Sequence, residues 1–292
     1  METKSQMVKI PDAAGDTVTF AQYPHGHLMC PAFDHLDFDE LRALHLRDDD
    51  VILCSYPRSG CHWLWEQIRM IHAGSTDLPV EEKQSGMFEN WSPETYEKLP
   101  SPRTFNTHVL FHELPAEVTQ KKTKLVMICR HPKDSAVSLY HLCKNGIWWD
   151  YHGQLCNFLP LFLEGKVDGG GVADYLNDWA RVIADHPDHP IHVLSYESLI
   201  KNPVEDITRL SRFLGKNHDV NFVQSVADTC TIDKMRERKG KVWEDNGIDK
   251  KLMYRDGKTG GWKTSFTEEM NKQFDEYWLN NFKASDTFPI DY

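Results

Sequence analysis

The sequence lacks the features that mark secreted, membrane and metal-binding proteins. Its seven cysteines are odd in number and include no C-x-x-C pair, which favours reduced thiols over a disulfide framework or a zinc site. The fifteen histidines contain no H-E-x-x-H cluster, so we predict no catalytic metal. No apolar run has the length of a membrane span, and residues 1–16 lack an apolar signal core. These absences predict a cytoplasmic protein without a membrane partner.

Positive charge is also scarce. The chain has 33 Lys and Arg residues against 44 Asp and Glu, a formal net charge of -11, which disfavours binding to nucleic acid. Any anion site must therefore be a local concentration of Arg, Lys and backbone N–H groups. The 292 residues, 40% of them hydrophobic, allow one large α/β domain or two small ones, and no internal repeat is visible.

Residues 51–66 carry the strongest local pattern. The apolar run 51–54 predicts a buried strand, which Pro57 ends, and residues 61–73 show helical spacing. A strand, a small-residue turn and a helix form the layout of a P-loop-like phosphate cradle. Arg58 adds a permanent charge, and Gly60 lets the backbone approach an anion. The first glycine and the lysine of a true P-loop are missing, so an ordinary strand-to-helix turn is the alternative for this stretch alone.

Similar patterns predict the rest of the fold. We predict further strands at 103–109, 124–129 and 191–196, and helices at 132–144, 172–185, 203–214, 219–229 and 267–283. The segment Asn202-Pro-Val-Glu predicts a capping box, and Thr267 a helix cap. Strands separated by helices predict an α/β fold with a mostly parallel central sheet flanked by helices, and ligands at the carboxyl ends of the strands.

We expect a single domain over residues 1–292, with an irregular N-terminal arm (1–45) and a core (46–285). Two long segments, 74–103 and 145–170, are predicted substrate-side loops, because such loops in compact domains are often binding loops. Five apolar side chains are candidates for lining an acceptor pocket, with core packing as the alternative: Phe20, Met87, Phe88, Trp148 and Trp149.

Four short motifs stand in order along the chain: YPRSGCHW at 56–63, TH at 107–108, RHPKDSAVSLYH at 130–141 and RDGKTGGWK at 255–263. From about residue 45 to 285 the chain therefore resembles the cytosolic sulfotransferase family, whose corresponding motifs read YPKSGTTW, KTH, RNPKD…S-YYH and RKGxxGDWK. Members of that family move a sulfonate group from 3′-phosphoadenosine 5′-phosphosulfate (PAPS) to a hydroxyl or amine. The resemblance implies PAPS as donor, 3′-phosphoadenosine 5′-phosphate (PAP) as product and a small-molecule acceptor. The aromatic content of segments 74–103 and 145–165 favours a small apolar alcohol or phenol over a glycan.

The resemblance also implies roles for individual residues. It makes His108 the general base, with Arg58 and Ser138 as further catalytic groups, and it places Asn106 and His108 beside the acceptor. Trp63 would stack on adenine and Tyr196 would hydrogen-bond its edge. The implied nucleotide-binding set is Arg58, Ser59, Gly60, Cys61, His62, Trp63, Arg130, Ser138, Tyr196, Thr231, Met235, Arg255, Asp256 and Gly257.

Several positions depart from the family pattern. Arg58, Asn106 and Asp256 each stand where the family has lysine, and Cys61 and His62 replace two threonines. If the site is short of one charge, Asn106→Lys should raise turnover. If the charge has been re-centred on Arg58 and His62, the same change should crowd the site and lower it.

These departures leave other functions and assemblies open. The alternative is a catalytically weakened nucleotide-binding member of the same fold. A nucleotide kinase is a third reading, but the Walker lysine and an evident magnesium ligand set are missing. The stretch 263–272 resembles the family's dimer motif, which implies a homodimer, but Glu268 and Lys272 stand where the family has Val and Glu.

Overall fold

The computed structural model describes residues 5–90, 93–245 and 249–290. The described residues form seven strands: β1 (Gln6–Pro11), β2 (Thr17–Gln22), β3 (Leu28–Met29), β4 (Val51–Ser55), β5 (Thr104–Thr107), β6 (Lys124–Cys129) and β7 (Ile191–Ser195).

The α-helices lie between and after the strands. They are α1 (Phe38–Arg42), α2 (Cys61–Ala73), α3 (Pro93–Lys98), α4 (Glu117–Lys121), α5 (Pro132–Asn145), α6 (Leu155–Leu163), α7 (Val172–Asp185), α8 (Tyr196–Lys201), α9 (Pro203–Phe213), α10 (Val220–Thr229), α11 (Ile232–Asp245), α12 (Lys250–Met253) and α13 (Glu268–Asn281). Short 3-10 helices lie at Pro31–Phe33, Lys83–Gly86, Phe88–Asn90, Phe111–Glu113 and Gly261–Thr264. Within the described ranges, none of the helices combines the length and apolarity needed to cross a bilayer.

A four-stranded parallel sheet with the order β5-β4-β6-β7 forms the centre of the fold. All residues of β4 and β5 are buried, and β6 is buried except at Lys124. Apolar runs of this kind suit strands that helices cover on both faces. The predicted α/β fold with a parallel central sheet is therefore confirmed.

The strand order places four predicted site residues at one edge of the sheet. The chain moves from β4 outward to β5, then crosses back to β6 on the other side of β4. Such a switch in direction opens a crevice at the carboxyl ends of the strands. Arg58, His108, Arg130 and Tyr196 follow β4, β5, β6 and β7 respectively.

Residues 6–29, expected to be part of an irregular arm, form a separate antiparallel sheet with the order β1-β2-β3. Gly15 and Gly26 occupy the two turns with positive φ angles. In β2 the side chains of Val18 and Phe20 are fully buried, two residues apart. This period of two is a strand signal, and the strand is anchored because it packs on the core.

The segment 145–170, expected to be a loop, contains helix α6. Its apolar residues 155, 158, 159 and 162 follow helical spacing, and Phe158 and Phe162 are fully buried. Pro160 lies inside the helix and obscures this pattern, because proline normally argues against a helix interior.

Helix α11 was not predicted, because its sequence is mostly charged. It is held by contacts with α2: the fully buried Glu66 pairs with Arg238 at 3.0 Å and with Lys239 at 2.5 Å. Met235 and Trp243 bury the apolar side of α11. The helix therefore depends on partners that are distant in sequence.

The predicted helix caps have mixed outcomes. Thr267 caps α13, since its Oγ1 accepts the N–H of Met270 at 3.2 Å. The capping box at Asn202 is wrong: Pro203 begins α9 as expected, but Asn202 makes no side-chain capping bond.

Candidate active site

The turn between β4 and α2 places two residues in the left-handed region, Arg58 with φ 69° and Gly60 with φ 107°. A Cβ atom at Gly60 would lie 2.7 Å from Cδ2 of Tyr196, so only glycine fits there. Gly60 gives α2 no side-chain cap. The backbone donors of the first helical turn are therefore available to an anion.

The side chain of Arg58 bridges two elements of the site. Its Nε donates to Ser138 Oγ at 3.0 Å, and one Nη donates to the carbonyl oxygen of Leu252 at 3.0 Å. Burial, together with Arg130 and Arg255 nearby, lowers the pKa of Arg58 to about 10. Arg58 stays charged at neutral pH, and three guanidinium groups are concentrated in one place despite the negative net charge of the chain.

Arg130 connects this cluster to the neighbouring loops. Its Nη atoms donate to the carbonyl oxygens of Arg58 at 3.1 Å and Lys258 at 3.3 Å, and its guanidinium lies 4.3 Å from the ring centroid of Tyr196. Its Nε is buried and has no hydrogen-bond partner among the described residues. A buried donor left unpaired among like charges fits an anionic ligand.

The segment 254–264 closes over the cluster and is tied down by α5. The carboxylate of Asp134 accepts the N–H of Gly260 at 2.7 Å and that of Trp262 at 2.9 Å. Lys133 forms an ion pair with Asp275 of α13, and its Nζ lies 4.4 Å from the ring of Trp262. The Lys and Asp of the 130–141 motif thus position the closing segment, a role that the sequence did not reveal.

Arg255 and Asp256 in this segment form an ion pair, with 3.3 Å between Nε and Oδ2. Both side chains are partly exposed, so solvent screens the pair. Asp256 places a negative charge beside Arg255, and its side chain competes with an anionic ligand for that guanidinium.

An aromatic wall borders the cluster. The rings of Trp63 and Tyr196 meet edge to face, with centroids 5.4 Å apart, and Trp63 Nε1 donates to the carbonyl oxygen of Cys230 at 2.7 Å. This bond fixes the orientation of the indole. Thr231 and Met235 line the same cavity.

A cavity of about 1000 Å³ joins these features. Of the predicted nucleotide-binding residues, all line it except Ser59, whose side chain is buried. Among the predicted acceptor residues, those lining the cavity are His108, Met87, Trp148 and Trp149.

Two of the predicted acceptor residues belong to the core instead. Phe20 points inward from β2, and Phe88 packs on Phe105, with ring centroids 4.9 Å apart. Both are fully buried, and neither lines the cavity. Both side chains therefore pack in the core, as the alternative for these two positions predicted.

His108 is held in one tautomer. Its Nδ1 lies 2.8 Å from the carbonyl oxygen of Ser55, which can only accept, so Nδ1 carries the proton and Nε2 has a free lone pair. Burial, and then the charges of Lys83 and Arg58, lower the pKa of His108 to about 3. The imidazole is therefore neutral at pH 7 and able to accept a proton at Nε2.

Asn106 is fully buried in β5 and does not line the cavity. Its Oδ1 accepts from Lys83 Nζ at 3.0 Å, and its Nδ2 donates to the carbonyl oxygen of Lys83 at 2.7 Å. Lys83 does line the cavity, beside His108. The sequence gives no hint of this lysine, because it belongs to the irregular segment between α2 and β5.

His62 packs among aromatic side chains. Its ring packs edge to face against Trp243 and Tyr254, with centroids 5.5 and 6.3 Å away. Burial, and then the charges of Lys83 and Arg58, hold its pKa well below the usual value. The lowered pKa disfavours the imidazolium form of His62, so the hypothesis that charge has been re-centred on Arg58 and His62 stays a prediction that finds no support at His62.

In the part of the chain that the structure describes, no group of three His, Cys, Asp or Glu side chains could hold a metal ion. The arrangement instead offers a cluster of cations, a neutral imidazole and an aromatic wall around one cavity. It can bind an anionic aromatic ligand next to a proton acceptor.

Known proteins are similar to this chain in sequence and in fold. Sulfotransferase 6B1 of Mus musculus is 28% identical over 262 residues, which cover 89% of this chain and 84% of that protein. Sulfotransferase 6B1 of Danio rerio is 30% identical over 248 residues, covering 82% and 80%. The crystal structure of mouse sulfotransferase SULT7A1 complexed with PAP has a TM-score of 0.74 at 26% identity, covering 90% of this chain and 94% of that one.

The family model of the sulfotransferase domain matches residues 48–286. This range contains the four motifs and the cation cluster, and leaves out the N-terminal sheet. The resemblance drawn from the motifs is confirmed, and the chain belongs to the sulfotransferase family.

Proposed function

We propose that this chain transfers the sulfonate group of PAPS to a hydroxyl or amine of a small apolar or phenolic acceptor, leaving PAP. The observation that carries the proposal is the tautomer of His108, a residue that lines the same cavity as Arg58, Arg130 and Arg255 and has Nε2 as its unprotonated ring nitrogen. A proton acceptor next to a cation cluster is what transfer of an anionic group to a hydroxyl requires.

The donor would supply an activated sulfonate. His108 Nε2 takes the proton of the acceptor hydroxyl as the new S–O bond forms, and the S–O bond to the 5′-phosphate breaks. Arg58 cannot donate a proton, so it stabilises the phosphate oxygen by charge and hydrogen bonds. Positioning and electrostatics carry most of the work, as in phosphoryl transfer.

The low pKa of His108 depends partly on the cations beside it. Lys83 and Arg58 are two of its causes, after burial. A bound anion beside these cations would offset their charge and raise the pKa of His108 towards its usual value, where a general base works best near neutral pH.

The cation cluster also supports the nucleotide assignment. Arg130, Ser138 and Arg255 line the cavity together, and the unpaired Nε of Arg130 is a donor available for a phosphate. The aromatic wall of Trp63 and Tyr196 suits a purine ring. We assign Arg130, Ser138 and Arg255 to the 3′-phosphate, and Trp63 to the adenine.

The test of the proposed activity is a panel of alcohols, phenols, amines and glycans incubated with 35S-labelled PAPS. Met87, Trp148 and Trp149 make the acceptor side largely apolar, so we expect label to move to small apolar alcohols or phenols. Nucleotide binding without transfer to any acceptor would favour the weakened nucleotide-binding alternative. The main support for that alternative is the charge missing at Asn106, and Lys83 beside it weakens this support.

We expect PAP to bind far more tightly than adenosine 5′-monophosphate, which lacks the 3′-phosphate. Charge-assisted hydrogen bonds contribute about 1.5–3 kcal/mol each, so two of them predict a ratio of affinities on the order of 10²-fold or more. Titration calorimetry on both nucleotides measures this ratio.

The partly exposed Arg255 provides the matched variant for this titration. Arg255→Gln should reduce the preference for PAP while leaving the affinity for adenosine 5′-monophosphate almost unchanged. Equal affinities of the unmodified protein for the two nucleotides would refute the 3′-phosphate site.

A further inference from the structure

Lys83 is a buried lysine without a carboxylate partner among the described residues. Its residue is 4% exposed, and its Nζ donates to Asn106 Oδ1 at 3.0 Å and to Met87 Sδ at 3.1 Å, both neutral groups. The other buried lysines, Lys133 and Lys239, each pair with a carboxylate. Within the described residues, no carboxylate oxygen lies within 4.0 Å of Lys83 Nζ.

A buried charge without a paired counter-ion is costly, and an anionic ligand in the same cavity would supply the opposite charge. Lys83 lines the cavity together with Arg58 and His108. Its charge influences the titration of both His62 and His108, so the ammonium lies close to the proton acceptor. The buried carboxyl groups of Glu89 and Asp168 also interact with Lys83 at longer range. A purely structural role of Lys83 is therefore the alternative that the experiments have to separate from catalysis.

Asn106 holds this lysine from two sides. Its amide accepts from the ammonium of Lys83 and donates to the backbone carbonyl of the same residue, and a parallel bridge pairs Asn106 with Met87. The segment 83–87 is thereby fastened to the end of β5. An asparagine suits this task, since it offers one acceptor and one donor, whereas a lysine at 106 would repel the ammonium.

We infer that Lys83 supplies the positive charge beside the transferring sulfonate, and that Asn106 is the residue that positions it. The inference rests on the proposed function. The side chain of Lys83 neutralises charge on the sulfonate oxygens while the S–O bond to the acceptor forms and the S–O bond to the phosphate breaks. The proton of the acceptor goes to His108.

The first test separates catalysis from packing. Lys83→Met keeps the length of the side chain and removes the charge. We expect kcat to fall on the order of 10²–10³-fold, as when one donor to a developing anion is removed. The affinity for PAP, which has no sulfonate, should change by less than about threefold. Lys98→Met, at an exposed lysine of α3, is the control and should leave kcat unchanged.

The second test moves the charge. Asn106→Lys alone should lower kcat, because two ammonium groups would compete for one buried place. The double variant Lys83→Met/Asn106→Lys restores a single cation, so its kcat should be at least about tenfold higher than that of either single variant. A double-mutant cycle over these variants measures the coupling between the two positions. Lys83→Arg, which keeps the charge, should retain more activity than Lys83→Met.

The outcomes separate this inference from the proposed function. An unmodified protein that binds PAP but transfers no label contradicts the proposed function itself. An active unmodified protein whose Lys83→Met variant keeps its kcat contradicts the role of Lys83. Equal losses of kcat and PAP affinity in Lys83→Met, or equal losses in Lys83→Arg and Lys83→Met, would assign the lysine to structure alone. If Lys83→Met does not fold, the comparison of Lys83→Arg with Asn106→Lys decides, and a more active Asn106→Lys overturns the inference.

Discussion

Replacing His108 by alanine is expected to reduce kcat about 10²-fold or more, the usual effect of losing a general base. The affinity for PAP should stay nearly unchanged, because the proposed base acts on the acceptor and not on the nucleotide. Steady-state kinetics with labelled PAPS and calorimetry with PAP measure the two quantities on the same preparation.

His72 provides a matched control for this experiment. It is also a partly buried histidine whose pKa is lowered by burial, to about 4, and its Nδ1 lies 3.1 Å from Thr104 Oγ1 at the start of β5. It does not line the cavity. His72→Ala should therefore lose stability but keep kcat. Retention of more than about a tenth of the rate in His108→Ala would mean that another group accepts the proton, since loss of a general base lowers the rate by about 10²-fold or more.

Replacing Arg58 by alanine should be the most damaging change in the nucleotide-binding turn. Bonds to Ser138 and Leu252 occupy two of the five N–H donors of Arg58, and the proposed function assigns donors among the other three to the phosphosulfate. Loss of two charge-assisted bonds of ~1.5–3 kcal/mol each predicts a fall in kcat/KM for PAPS of about 10²–10⁴-fold.

Two further variants define what Arg58 contributes. Arg58→Lys keeps the charge but cannot reproduce the planar fork that reaches both Ser138 and Leu252. Its kcat/KM for PAPS should therefore lie between that of the unmodified protein and that of Arg58→Ala. Arg181→Ala, at an exposed arginine of α7, controls for the loss of a surface charge. A near-normal kcat/KM for PAPS in Arg58→Ala would show that the first turn of α2 binds the anion without it.

The parts of the fold that were predictable from sequence are those determined by local pattern. Helix α2 begins at Cys61 and ends at Ala73 as predicted, because the apolar spacing starts directly after Gly60 and stops before Gly74. Strand β6 is predictable for a similar reason: its run of apolar residues is bounded by Lys124 and Arg130. Predicting α2 and β6 correctly is enough to place the phosphate cradle before α2 and Arg130 at the end of β6.

The parts that were not predictable depend on partners distant in sequence. Helix α11 contains few apolar residues, and its ion pairs with Glu66 appear only after folding. The departure at Asn106 reads as a missing charge in the sequence, because Lys83 lies 23 residues earlier in an irregular segment. Phe20 and Phe88 are as aromatic as the residues that line the cavity, and only the direction of their side chains distinguishes them.

The tie between Asp134 and the closing segment also affects the order in which the protein assembles during translation. Asp134 and Gly260 are 126 residues apart in the chain. All four strands of the central sheet are complete at residue 195, so the ribosome releases them before residues 254–264. Because a domain generally folds as a unit, the cavity that we assign to the nucleotide is complete only after residues 254–264 have been synthesised. A nascent chain that ends before Arg255 lacks both this tie and the cation that we assign to the 3′-phosphate.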